Sequence, residues 1–435
     1  MAKIGFNTLH LSEEERKILQ GDQGPVLQKI METVVNYGEA MGAEYLVDIE
    51  GPGHFVIPWS NPGISPPLEM LEEFVAADLK TQFPFTLDPC APLDFDNLNL
   101  SPKLEKAIQD MFPNQQRYDE LMFSLGLRDP SAFSCNPYQQ EVGNIPQKGA
   151  ILAWSESACA IHANSVFGAR TNRNGAIMDL MLNILGKVPL TGLLTDEGRH
   201  ANWLVEIKTD EVPNPQLLGT MIGLELVSGV PFITGLDRFL NPSLDDSTMD
   251  YLHEMGAMIA TYSAISLYHV ENITPEAIEL GRGLLTQGYK KTDIDGDKLQ
   301  QIFNAFPNLW DDPGAKPEKA YIGCPHISLN QIYWWAEVIE NRLSAQGKDH
   351  LAVDTIICAA PKVIEKFQTD SDAYQKMMTA GVRFSPSCCE CIFETSLCYG
   401  EPILTNSNKL RAYTTARYLP DEKLVEVLVK GSYND

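Results

Sequence analysis

The stretch Val353-Asp-Thr-Ile-Ile-Cys-Ala-Ala-Pro-Lys-Val-Ile-Glu-Lys-Phe367, continued by Ala373-Tyr-Gln-Lys-Met-Met-Thr-Ala380 and Gly381-Val-Arg-Phe384, decides the fold class. The short apolar run at 353–358 predicts a strand, and Pro361 opens a helix that ends near Phe367. A second helix over 373–380 and a strand at 382–384 complete the unit. That rhythm predicts parallel strands covered by helices, an α/β protein.

The pattern extends outward from there. Residues 12–43 read as helix, started by the capping box at Ser12-Glu-Glu-Glu and interrupted at 21–24. A strand at 45–49 leads into a Gly/Pro loop holding His54, a helix covers 67–79, and a strand at 83–87 runs into Asp88-Pro89. Segments 203–207, 220–227 and 230–233 have strand-like apolar content. Residues 329–342 form a helix-length segment after the Gly323-Cys-Pro-His326 turn. Two proline-bearing polar joints, 209–215 and 308–319, divide the chain into regions 1–210, 211–315 and 316–435.

Composition restricts the function classes. The 435 residues are 44% hydrophobic, enough for a large core, and 33 Lys and Arg face 58 Asp and Glu for a formal charge of -25. Nucleic acid and anionic membrane surfaces are therefore not expected as partners. The first twenty residues lack a signal-type apolar run, and no stretch approaches the roughly 20 apolar residues of a membrane span. The expected location is cytoplasmic. Nine cysteines, an odd number, then read as thiols. Cys159 and Cys358 sit in apolar contexts that suit core residues.

Polar groups are densest between Cys135 and Gly175. Asn164-Ser-Val-Phe-Gly-Ala-Arg-Thr-Asn-Arg-Asn-Gly175 mixes small residues with Arg170, Arg173 and three amide side chains. Guanidinium forks and amides suit a small anion, since a guanidinium binds a carboxylate through two parallel hydrogen bonds. The alternative is a surface turn held by Asn and Gly. Cys135, Cys324 and the Cys388, Cys389, Cys391, Cys398 segment lie in loops where Pro or Gly interrupts regular structure. Three thiolates can hold three irons of a cubane and leave the fourth open as a Lewis acid. Taken alone, the Cys388-Cys389-Glu390-Cys391 run also fits a zinc site, a redox-sensitive thiol cluster or core.

At these residues the chain resembles the large, catalytic subunit of the aconitase X family. The resemblance rests on Cys135-Asn-Pro-Tyr, Gly143-Asn-Ile-Pro, Ala153-Trp-Ser-Glu-Ser, Asn164-Ser-Val-Phe-Gly-Ala-Arg-Thr-Asn-Arg, Gly323-Cys-Pro-His-Ile-Ser and Thr405-Asn-Ser-Asn-Lys, in that order. It implies an aconitase-like fold of several α/β/α domains with mostly parallel sheets around a cluster-binding cleft. It also implies a hydro-lyase acting on a small hydroxy acid of the cis-3-hydroxy-L-proline or mevalonate 5-phosphate type. The implied cofactor is an iron-sulfur cluster, [4Fe-4S] with one open iron or else [2Fe-2S]. Its ligands would be Cys135, Cys324 and, best aligned, Cys389, although Ser387-Cys388 replaces the family's usual Asp-Thr and Cys391 adds a candidate. A separate small swivelling subunit would carry the catalytic serine.

Dehydration needs an acid on the departing hydroxyl, a base on the adjacent carbon and a hold on the substrate carboxylate. Arg170 and Arg173 are the candidate anion binders, with Asn164, Ser165, Thr171 and Asn172 shaping the pocket and Arg199 as a further basic candidate. Glu156, Ser157, His54 and His326 are the candidate catalytic or orienting groups. Glu156 could equally cap a helix, and His326 could be a structural donor. A non-catalytic iron-sulfur or zinc-binding scaffold of the same fold is the alternative.

Overall fold

The computed structural model describes residues 9–56, 68–392 and 398–433, with Cys389 and Ile392 described by their backbone alone. One sheet is five-stranded and wholly parallel, in the order Val382–Ser385, Asp354–Cys358, Lys319–Ile322, Ile403–Thr405, Arg417–Tyr418. Thr355 to Cys358 are all buried, as expected of a central strand covered on both faces. Helices Leu329–Ala345, Pro361–Gln368, Ser371–Thr379 and Asp421–Lys430 supply the cover, joined to the sheet through Trp335, Phe367, Leu424 and Leu428.

A second sheet is four-stranded and parallel, ordered His269–Val270, Pro231–Thr234, Ala201–Ile207, Leu285–Ile294. Residues 209–215 connect its strand Ala201–Ile207 to the helix Pro215–Leu226. Of residues 220–227, expected as a strand, 220–226 belong to that helix and Val227 caps its end. Asn214 caps it, its side chain accepting from the Gln216 and Leu217 N–H groups at 3.0 Å each, and Pro215 fills the first turn. Gly219 and Gly223 then present a bare stripe to the helix Asp246–Tyr262. A Cβ on Gly219 would stand 2.2 Å from the Met255 carbonyl oxygen. Apolar content alone suits a buried helix as well as a strand, and here the cap and the glycine spacing decide.

The N-terminal region packs the helix Pro25–Ala40 and its neighbours around short strands. Four extended segments in it run parallel: His54 bridges Trp154, His54–Phe55 pairs with Thr86–Leu87, and Leu87 bridges Phe133. Their carboxyl ends lead directly into Asp88, Cys135 and Glu156. In the five-stranded sheet the carboxyl ends lead into Gly323-Cys324, Ser387-Cys388 and Asn406–Lys409. Ligand sites of open parallel sheets form outside such ends.

Candidate active site

The two sets of strand ends meet. The His326 N–H donates to Cys135 Sγ at 3.0 Å, and the Asn136 amide donates to the His326 carbonyl at 3.4 Å. Ser407 Oγ donates to the Cys324 carbonyl, while Gly323 N–H donates to Asn406 Oδ1 at 3.1 Å. Gly323 has φ +100, and a Cβ there would stand 2.3 Å from the Cys358 carbonyl oxygen, so only glycine turns the chain into Cys324. The Cys324–Pro325 peptide is cis. Cys388 N–H donates to the Cys90 carbonyl at 2.9 Å, tying the C-terminal cysteine segment to the N-terminal region.

Glu156 lies at the centre of this junction. It caps the helix Ser157–Ser165, Oε2 accepting from the Cys159 N–H at 2.5 Å, and its Oε1 faces Lys409 Nζ at 3.0 Å. Ser157 Oγ donates to the same Oε1 at 3.3 Å. Burial opposes the charge on Glu156, but Lys409 and the Cys159 and Ala158 N–H groups overcome it and lower its pKa. Burial also opposes the charge on Lys409. The surrounding Glu156, Cys324, Glu390 and Cys135 outweigh burial and hold the ammonium charged. Glu156 thus caps the helix, as one sequence reading has it, and is also paired with Lys409.

His54 is fully buried, with Nδ1 at 2.9 Å from Thr86 Oγ1 and Nε2 at 3.4 Å from Asp88 Oδ1. Asn144 Nδ2 also donates to Thr86 Oγ1, at 2.8 Å. Burial and then Glu156 push the Asp88 carboxyl up, while His54 and Lys409 pull it back. Burial pushes the Cys135 thiol up, with Asp88 and Cys324 adding to the shift. His326 is held neutral by burial, its pKa lowered to about 3. The contact to Cys135 comes from its backbone rather than its ring.

The 164–175 segment is buried over much of its length rather than a surface turn, and most of its polar groups bond within the fold. Asn164 Nδ2 donates to the Thr171 and Ser266 carbonyls, and its Oδ1 accepts from the Thr171 N–H. Thr171 Oγ1 accepts from the Trp154 N–H at 3.0 Å, and Ser165 Oγ from the Tyr268 N–H at 2.9 Å. Asn172 bonds the Thr191 carbonyl and the Leu193 N–H. Arg170 is engaged by the Leu194 carbonyl at 2.9 Å and by Asp196 at 2.5 Å.

Arg199, 1% exposed, has no donor left for a substrate. Its Nε and Nη2 grip Glu276 at 2.6 and 2.9 Å, and the remaining bonds go to Asn164 and the Leu193 carbonyl. The expected substrate role gives way to a clamp between Asn164, at the end of the helix Ser157–Ser165, and the helix Pro275–Leu280. Arg173 differs from both other arginines: it holds a positive φ of 55°, and its Nη1 is buried without a hydrogen-bond partner among the described residues.

Two groups that the sequence reading did not name as site residues, Asp88 and Lys409, belong to the centre. Asp88 lies in the Asp88-Pro89 turn after the 83–87 segment, and Lys409 closes the Thr405-Asn-Ser-Asn-Lys motif, whose local spacing says nothing of Glu156. Cys135 and Cys324 share one electrostatic neighbourhood, with Lys409 charge-coupled to both. Thiols flanked by a buried cation suit a thiolate-bound cluster, and Glu390, coupled to Lys409 and Glu156, brings the helix Cys389–Ile392 to the same centre. The Cys389 side chain lies outside the described residues. Among those, no three His, Cys, Asp or Glu side chains gather closely enough to hold a metal ion.

Converging parallel-strand ends that carry cysteines and a buried ion pair form the centre of this α/β fold. Family models for the first, second and third domains of aconitase X match residues 8–197, 201–304 and 317–426. The chain belongs to the aconitase X family and is a dehydratase. It is 31% identical to the phosphomevalonate dehydratase large subunit of Thermococcus kodakarensis, over 77% of this chain and 78% of that one. It is 28% identical to the Methanocaldococcus jannaschii protein of the same name, over 97% and 100%. Pseudomonas aeruginosa cis-3-hydroxy-L-proline dehydratase is 24% identical, over 92% of this chain and 65% of its own length. The crystal structure of Thermococcus kodakaraensis aconitase X matches with a TM-score of 0.78 at 28% identity, covering 96% of this chain and 99% of that one. No helix among the described residues is long and apolar enough to cross a membrane.

Proposed function

We propose that this chain is the large subunit of a cytoplasmic iron-sulfur dehydratase for a small hydroxy acid of the phosphomevalonate or cis-3-hydroxy-L-proline type. The large-subunit relatives support a small-subunit partner, proposed here as the swivelling subunit that carries the catalytic serine. Cys135, Cys324 and Cys389 are the proposed cluster ligands, for a [4Fe-4S] cluster with [2Fe-2S] as the alternative. Three α/β units would meet at it. When bound, the cluster supplies a Lewis acid for the departing hydroxyl.

The chain's own residues do the remaining work. Arg173 takes the substrate carboxylate, supported by its buried and unpartnered Nη1. Lys409 stabilises negative charge at the centre, and Glu156 keeps it oriented. His54 and Asp88, 3.4 Å apart, hold and pass a proton. Ser157, on the first turn beyond Glu156, is a further polar contact for substrate, and His326 stays with the backbone that supports Cys135. The observation that carries this reading is the His326 N–H to Cys135 Sγ bond at 3.0 Å, which joins two motifs 191 residues apart.

The test is iron and acid-labile sulfide on protein purified without oxygen, for wild type and for Cys135→Ser, Cys324→Ser and Cys389→Ser. Dehydration of both substrate types is then assayed with and without the small subunit. Loss of iron in all three variants, and turnover that requires the small subunit, is expected. Iron-free wild type after reconstitution, or full turnover by the chain alone, overturns the corresponding part.

A further inference from the structure

A cavity of about 330 Å³ opens beside the centre but is lined by none of Cys135, Cys324, Glu156 or Lys409. Its inner wall carries Tyr138, His162 and His253, and its outer wall Glu141, Asp246 and Asp250; no Lys or Arg lines it. Tyr138 stacks on His162 with centroids 4.2 Å apart and its hydroxyl bonds His253 Nδ1. His162 is fully buried and His253 is 4% exposed. Both nitrogens of His162 and Nε2 of His253 have no hydrogen-bond partner among the described residues. Burial lowers the pKa of both rings, so each is a neutral imidazole with one donor and one acceptor nitrogen.

Unpaired buried nitrogens are costly and call for a guest. The three carboxylates set its charge. An ammonium group donates to the imidazole acceptor and to a carboxylate, and its charge offsets the acidic wall. An anion would meet that wall with no basic side chain to hold it. The volume suits a small metabolite.

We propose that this cavity is a binding site for a small organic ammonium compound that also carries a hydrogen-bond acceptor. Asp250 holds the ammonium, and the His162 and His253 rings read the polar atoms around it. Asp250 Oδ2 also accepts from Ser328 Oγ at 2.8 Å, so an occupant touches the junction between the helix Asp246–Tyr262 and the helix Leu329–Ala345.

The experiment uses the anaerobically purified full chain with ethanolamine and putrescine as probes, followed by calorimetry and thermal shift at constant ionic strength. Ethylene glycol and glycolate serve as neutral and anionic controls. Saturable binding is expected for at least one ammonium probe and for neither control. Asp250→Asn should weaken it by about ten- to a hundredfold, the worth of one hydrogen bond to a charged group. Asp246→Asn, on the exposed first turn of its helix, weakens it with less risk to folding. Ammonium probes that bind no better than ethylene glycol, or binding that survives both substitutions, overturn the proposal. Neither readout depends on iron or turnover, so failure of the dehydratase reading is recognised separately.

Discussion

Lys409 Nζ lies 3.0 Å from Glu156 Oε1, with side chains 11% and 4% exposed, joining residues 253 positions apart. A buried pair costs little while complete and much when halved, because the remaining charge has left water without compensation. Lys409→Met and Glu156→Gln should each cost about 3–5 kcal/mol in urea unfolding. The double variant should cost less than their sum, and activity should vanish in all three. Additive losses would mean that the two charges do not interact.

Arg199 and Arg173 should separate stability from binding. Arg199→Lys removes the fork that grips Glu276, and its unfolding midpoint should fall while KM of the folded enzyme holds. Arg173→Ala should raise KM with little change in midpoint. The reverse pattern would exchange their roles.

Gly219→Ala tests the backbone contact between the helices Pro215–Leu226 and Asp246–Tyr262. With 2.2 Å from Cβ to the Met255 oxygen, the helices must separate, at a cost of about 1–3 kcal/mol. An unchanged denaturation midpoint would count against the packing described.

Stability should fall as pH rises through the mildly acidic range. Burial is the main cause that raises Asp179 from 3.8 to about 7 and Asp250 from 3.8 to about 6. Each binds its proton more tightly folded than unfolded, so the stabilisation is complete below pH 3.8 and disappears as pH climbs through about 6 to 7. These two groups should make the thermal midpoint higher at about pH 5 than at about pH 7.5. Asp179→Asn should flatten that slope, and an unaltered slope would remove Asp179 from the cause.

Strands and helices around 353–384 were legible because their signals are local: a short apolar run, Pro361, and periodicity within a few residues. Residues 220–227 misled because apolar content is shared by buried strand and buried helix; what separates them here, Gly219 and Gly223 against Met255 and Tyr262, is a contact between distant segments. Asp88 escaped notice for a similar reason, since an Asp-Pro turn carries no mark of facing His54.

By itself the sequence determined the α/β class, the family and the cysteines at the ends of strands, since each is written in local pattern or in the order of motifs. Only the tertiary structure decided which polar groups remain available. Arg170, Arg173 and Arg199 look alike along the chain, yet Asp196 and the Leu194 carbonyl engage the first and Glu276, Asn164 and the Leu193 carbonyl saturate the third. Whether a guanidinium binds substrate or fastens the fold depends on the acceptors that folding brings to it, and those arrive from other parts of the chain.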